Sequence, residues 1–416
     1  MSLAFILVLI AAFSLGVQRF FERIGFGSFV TSVVFLLVGV VLGRFGFGVL
    51  GASSIEALQP VLSLLMGIMG FILGLPLSHA IRKTTFASTG FAASIGLGGV
   101  VGGASFAMTR FFLGPALGIN ESDQVWLAVA LGAAATSVST SLVSRAADSI
   151  GARGPVTQSL NAWAMVSNIL SVVVAGGALA MSRALATEQA GAVLTKTEWF
   201  VACVGIGFVC GVLYTLFLGR DSEQSQDRTF LATVAIVVFA SGLAAAMGVS
   251  PMLVNLFAGL TTSIFHRKTE ALYKVLQGLY RPACTMLAIL AGAMWVPPPT
   301  LGWILAAIYF STRVIASYLI GALATRMAEP RIDASRFGAG IWGQGALAIA
   351  VGVNFAQTNP DLAGVVLSTL FSAVLLGDLL SPLAVRTVLI DAGETGSTSY
   401  VKPPSENSKT TMEAMS

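Results

Sequence analysis

Charge is what this sequence has least of: Asp, Glu, Lys and Arg make up 10% of its 416 residues, against about 25% in an ordinary soluble chain. That excludes a globule with polar cover on every helix face. Histidine is nearly absent, with only His79 and His266. The three cysteines, Cys203, Cys210 and Cys284, lack any Cys-x-x-Cys spacing and sit inside apolar runs. A disulfide framework is therefore not expected, nor a transition-metal centre or other cofactor, and the thiols read as small buried hydrophobes. No nucleophile, base and orienting group can be assembled, so an enzyme is not expected. The net charge of +4 is better explained by basic loops beside a membrane than by a nucleic-acid partner.

What the sequence does have is apolar length. Hydrophobic residues make up 56% of it, in runs of about 20 residues, enough to cross ~30 Å of hydrocarbon as helix. The runs fall at 3–18, 28–50, 59–81, 86–111, 125–146, 156–182, 198–219, 229–248, 250–265, 278–296, 300–325, 337–356 and 362–388. This predicts an all-α polytopic protein of about thirteen spans, embedded in a lipid bilayer. The first run has no positive residue before it, whereas Arg19 and Arg23 come after it. It therefore reads as an uncleaved first helix with an external N-terminus.

Basic residues alternate by loop. Arg19/Arg23, Arg82/Lys83, Arg145/Arg153, Arg220/Arg228, Arg267/Lys268/Lys274, Arg326/Arg331/Arg336 and the terminal Arg386, Lys402 and Lys409 share one side. Only Arg44, Arg110, Arg183 and Lys196 lie opposite. The bias predicts a cytoplasmic C-terminus in the inner (plasma) membrane and an odd number of spans. Residues 1–390 then form the transmembrane domain, and the Gly-, Ser- and Pro-rich stretch 391–416 a disordered cytoplasmic tail. Glycine is abundant, 45 residues, as in Gly96-Leu97-Gly98-Gly99. Close helix approach is the plainer reading, and broken transporter helices use the same residues.

Polar groups at membrane depth are costly and therefore informative. The fifth span holds the hydroxyl run Thr136-Ser137-Val138-Ser139-Thr140-Ser141. Such side chains can serve backbone groups freed where a helix unwinds, or bond back within a continuous helix. The sixth span carries Asn161, Ser167 and Asn168, with the two asparagines seven residues apart on one face. An interhelical hydrogen bond explains them equally well. In the twelfth, Gln344 sits between Gly343 and Gly345 after Gly338 and Gly340, a stretch weakened by about 1 kcal/mol per glycine. Arg313 and Asp378 are the remaining mid-membrane charges and candidate partners of one another; Asp378 is expected near the inner end of its span.

The sequence resembles the cation/proton antiporter superfamily, whose members include sodium/proton exchangers and Kef-type potassium/proton antiporters. The resemblance runs over about residues 1–390 and is carried by Gly248-Val-Ser-Pro251-Met-Leu-Val-Asn-Leu-Phe-Ala-Gly259-Leu, by Leu290-Ala-Gly-Ala-Met and by Ala135-Thr136-Ser137. It implies a thirteen-helix inverted-repeat fold with crossed unwound helices, a homodimer and an elevator-like movement. It also implies exchange of a monovalent cation, sodium or potassium, for protons. Three departures stand out. Ser167-Asn168 occupies the pair whose aspartate binds cation and proton in turn; Gln344-Gly345 occupies an Arg-Gly pair; Val138 replaces a proline. An amide does not titrate near neutral pH. Two alternatives therefore stay open. One is a uniporter, or a carrier of an uncharged or anionic solute, with a neutral site of Thr136, Ser137, Ser167, Asn168 and Gln344. The other is a non-transporting membrane sensor or assembly subunit.

Overall fold

In hydrocarbon a backbone must satisfy its own polar groups, and helices do so within one segment. Every regular element among the described residues is helical. The computed structural model of the protein describes residue 16 and residues 32–76, 85–117, 119–188, 195–218, 226–265, 269–328 and 336–394. The expected first span at 3–18, residue 16 apart, and the tail beyond 394 lie outside these residues.

The main helices are α1 (Ser32–Leu42), α2 (Gln59–Gly74), α3 (Thr85–Met108), α4 (Glu121–Thr136), α5 (Thr140–Ser149), α6 (Pro155–Glu188), α7 (Lys196–Leu218), α8 (Gln226–Met247), α9 (Pro251–Phe265), α10 (Thr269–Met294), α11 (Thr300–Ala328), α12 (Gly345–Thr358) and α13 (Ala363–Asp391). A 3-10 turn, Phe337–Ile341, precedes α12. By length and composition, seven stretches among the described residues can cross a membrane: Thr89–Ala116, Glu121–Ser149, Pro155–Ser182, Thr197–Phe217, Thr229–Met247, Thr300–Arg326 and Pro360–Asp391. Four further apolar helices, α1, α2, α9 and α12, are shorter. The run expected at 28–50 is helical only to Leu42. There the chain folds back, with the Phe47 N–H on the Val41 carbonyl at 2.7 Å.

The helices are apolar outside and polar within. On α11, Leu319 is 68% exposed while Arg313 is 1% exposed; on α13, Leu379 is 65% exposed beside Asp378 at 1%. A water-soluble bundle would show the reverse. An outer surface of leucine around a buried guanidinium and carboxylate is what a bilayer imposes.

Two apolar cores meet along α2. One gathers α1, α3–α6 and α10–α13 around Leu62, Leu65, Met66 and Met69 of α2; the other gathers the end of α2, at Phe71 and Ile72, with α7–α9 and the start of α10. The helices come close because glycine lines the contacts. A Cβ at Gly70 of α2 would lie 2.2 Å from the Met252 carbonyl of α9, and one at Gly39 of α1 would lie 2.0 Å from the Ile289 carbonyl of α10. Without a hydrophobic drive between helices in lipid, such close packing supplies the attraction.

Candidate functional site: two interrupted helices that cross

The hydroxyl run does not stay helical. Helix α4 ends at Thr136, Ser137 is extended (φ −63°, ψ 139°), and α5 starts at Thr140. The hydroxyls do bond to the preceding turn, and in doing so they close α4. Thr136 Oγ1 donates to the Ala133 carbonyl at 2.8 Å, and Ser137 Oγ to that of Ala134 at 2.7 Å. These are carbonyls of the final turn of α4, where partners within the helix run out.

The second interruption spans Trp342–Gln344, between the 3-10 turn and α12. Gly345 holds φ +68° there, a left-handed conformation that a side chain would resist. The two interruptions touch. The Ser139 N–H donates to the Gly343 carbonyl at 2.7 Å.

Four helix ends converge on this crossing, and three of them are answered by a side chain of matching character. The α4 and 3-10 ends present carbonyls, the negative poles of helix dipoles. Arg313 of α11 reaches both. Its Nε donates to the Ala135 carbonyl at 3.1 Å, and Nη2 to the carbonyls of Ser137 and Ile341 at 3.0 Å each. Nη1 donates to the Trp342 carbonyl. The sequence offers Arg313 and Asp378 as partners; instead, these bonded donors of Arg313 all end on carbonyls. A guanidinium's planar set of donors can bridge two strands in this way.

The α12 end presents amides, a positive pole. Asp378 Oδ1 accepts from the N–H groups of Gln344 and Gly345, both at 3.1 Å. The sequence predicts Asp378 near the inner end of its span, but it lies midway along α13, level with the crossing. The first interruption is served differently. Asn168 of α6 accepts from the Val138 N–H through Oδ1 and donates to the Val138 carbonyl through Nδ2, both at 2.9 Å.

The other expected site residues separate. Gln344 Nε2 donates to the Ala134 carbonyl at 2.8 Å and to the Tyr309 hydroxyl at 2.9 Å, joining α4 and α11. Ser167 Oγ pairs with Ser94 of α3 at 2.7 Å, and its carbonyl lies 3.4 Å from Thr136 Oγ1. Asn161 is half-buried and only meets Ser144 Oγ, at 3.5 Å. It shares a face with Asn168 but stands apart from the crossing. Tyr309, Ser139 and Ser381 belong to the crossing, and sequence reasoning does not single them out as site residues. Ser381 carries a signal nonetheless: it lies one turn after Asp378, directly before Pro382.

At the chain's other end, Glu394 accepts from the Thr157 N–H at 3.0 Å and from the Thr157 hydroxyl at 2.7 Å, and also from the Val156 N–H. It thereby closes the first turn of α6.

A sequence family described as sodium/hydrogen exchanger, transmembrane, matches residues 6–386. No curated protein matches the chain by sequence. Among solved structures, the chain is similar to that of the sodium proton antiporter MjNhaP1 from Methanocaldococcus jannaschii at pH 8. The TM-score is 0.66 at 13% identity, covering 94% of this chain and 98% of that one. A second structure of the same antiporter, from an electron-microscopy map, gives a TM-score of 0.59 over the same shares at 13% identity. These likenesses establish the fold.

Proposed function

The chain belongs to the sodium/hydrogen exchanger transmembrane family, and on that premise we propose that it exchanges a monovalent cation, sodium or potassium, for protons across the inner (plasma) membrane. The observation that carries the reading is the crossing. Two interrupted helices meet at Ser139 and Gly343 inside the bundle, with a guanidinium on their carbonyl ends and a carboxylate on an amide end. Discontinuous helices whose poles converge at depth are how many transporters build an ion site from backbone. Continuous helices would pack more tightly at less cost.

The reading extends to thirteen spans with an external N-terminus, a cytoplasmic C-terminus and two inverted halves. In support, each interruption is served by a polar side chain of the next long helix, Asn168 of α6 and Asp378 of α13. A homodimer is inferred from family resemblance alone. The protein should be tested in liposomes loaded with a pH-reporting dye. Sodium or potassium added outside should move protons, and choline should not. A tight vesicle in which neither cation nor lithium shifts internal pH would end the exchange reading.

One observation favours a second reading, an uncoupled carrier. By the family resemblance, Asn168 stands where an exchanging aspartate is expected, and both ends of its amide are spent on Val138. Radioactive sodium uptake without internal pH change would select it.

A further inference from the structure

The Arg313 guanidinium and the amides of Gln344 and Gly345 are spent, while several oxygen lone pairs beside Gly343–Gly345 are not. Asp378 uses Oδ1 for both amides of its cap, which leaves Oδ2 free to coordinate. Pro382 lies inside α13 and has no N–H, so the backbone carbonyl of Asp378, four residues earlier, loses its helical partner. Ser381 Oγ is buried and has no hydrogen-bond partner. It points at the same segment: a Cβ on Gly343 would lie 2.7 Å from it. Ser139 joins it: its Oγ would lie 2.8 Å from a Cβ on Gly345 and keeps a lone pair beyond its 3.1 Å bond with Ser141 Oγ. One carboxylate and two hydroxyls thus lie against the three-residue segment Gly343–Gly345, with an orphaned carbonyl at Asp378 itself.

We propose that Asp378, Ser381 and Ser139 form a binding site for a monovalent cation at the second interruption. The donor set is all oxygen with a single negative charge, which suits a hard cation of low charge. An anion finds little here. The Arg313 guanidinium is committed to four carbonyls and the Gln344 and Gly345 amides to Asp378. The charged groups facing Asp378 are Arg313 of α11 and Arg145 of α5; Tyr309 stands beyond Gln344. Gln344 Oε1 is also buried and unpartnered, but that side chain runs to Ala134 and Tyr309, away from α13. Glycine at 343 is part of the site, because a methyl there would fill the space between Leu142 and Ser381.

The identity of the ligand rests on the exchange reading; the place of the site does not. Sodium chloride titrated into the purified full-length protein, with choline chloride as control, reads binding by calorimetry. Asp378→Asn keeps an oxygen to cap α12 but removes the charge, and should weaken sodium binding by about tenfold or more. Ser381→Ala removes one neutral oxygen and should weaken it by about two- to fivefold. Thermal unfolding of each variant shows that it is folded. If folded Asp378→Asn and Ser381→Ala both bind sodium as the native protein does, the site is elsewhere. Failure of the native protein to bind sodium or potassium likewise overturns the proposal. Binding that depends on Asp378 in a protein that moves no protons keeps the site and removes the exchange reading. Flux in the native protein with binding indifferent to Asp378 does the opposite.

Discussion

The two interruptions pose one structural problem and receive different answers. Under the first lies an amide: Asn168 gives one bond and takes one, so both backbone groups of Val138 are satisfied by a neutral side chain. Under the second lies a carboxylate, which can only accept. It holds two amides with one oxygen, so coordination capacity remains. The first interruption is closed and neutral, the second open and charged. Arg313 spans both and draws on the carbonyls of each. A neutral clasp beside a charged one fixes one half of the crossing while leaving the other able to bind.

The widest damage should come from removing the group the two halves share. Arg313→Ala orphans four buried carbonyls and should cost about 3–5 kcal/mol, read as a lowered melting temperature in detergent. A melting curve like the native one would mean the crossing does not depend on its bridge. Asp378→Asn should spare most of that stability yet reduce cation-linked proton movement at least about tenfold, ~1.4 kcal/mol in barrier. Liposome flux at matched protein content checks it, and undiminished flux would make the second interruption as inert as the first.

Asn168→Asp brings the two halves to the same chemistry. The carboxylate cannot donate to the Val138 carbonyl, so about 1–3 kcal/mol of stability should go. No new proton coupling should appear, because the remaining oxygen faces a carbonyl. Denaturation and flux on one preparation separate these effects, and a stable variant with enhanced exchange would reverse the comparison. Smaller still is Ser137→Ala. The Ala134 carbonyl keeps bonds from Gln344 Nε2 and the Ser137 N–H, so the loss should be about 0.5–1 kcal/mol. A loss as large as that of Asn168→Asp would show that the hydroxyl, not the backbone, ends α4.

Sequence patterns reveal the helices and both weak points. Apolar run length marks the helices, and the clustered hydroxyls and glycines mark where two of them fail. Hydropathy makes the runs at 28–50 and 337–356 look unbroken, because it does not register a chain that turns back on glycine. Partnerships are much harder to read. Arg313 lies more than 170 residues from Ala135 and Ser137 in the chain, and nothing local tells a guanidinium whether it will meet a carboxylate or carbonyls. Asp378 is misplaced in depth when span ends are drawn from hydropathy, whereas α13 continues to Asp391. The proline four residues beyond it is the subtler clue, since Pro382 frees a specific carbonyl next to the only acid of that helix's interior.

Glu394 bears on where the membrane body can be separated from the C-terminal residues. The sequence puts that boundary at residue 390, yet the carboxylate that closes the first turn of α6 sits four residues further on. A chain stopped at 390 would open the amides of Val156 and Thr157 at the foot of the helix that carries Asn168. A chain stopped just after 394 would keep them bonded. The junction for a cleavable fusion therefore belongs downstream of Glu394, and a shortened protein that moves ions poorly should first be checked for this lost anchor.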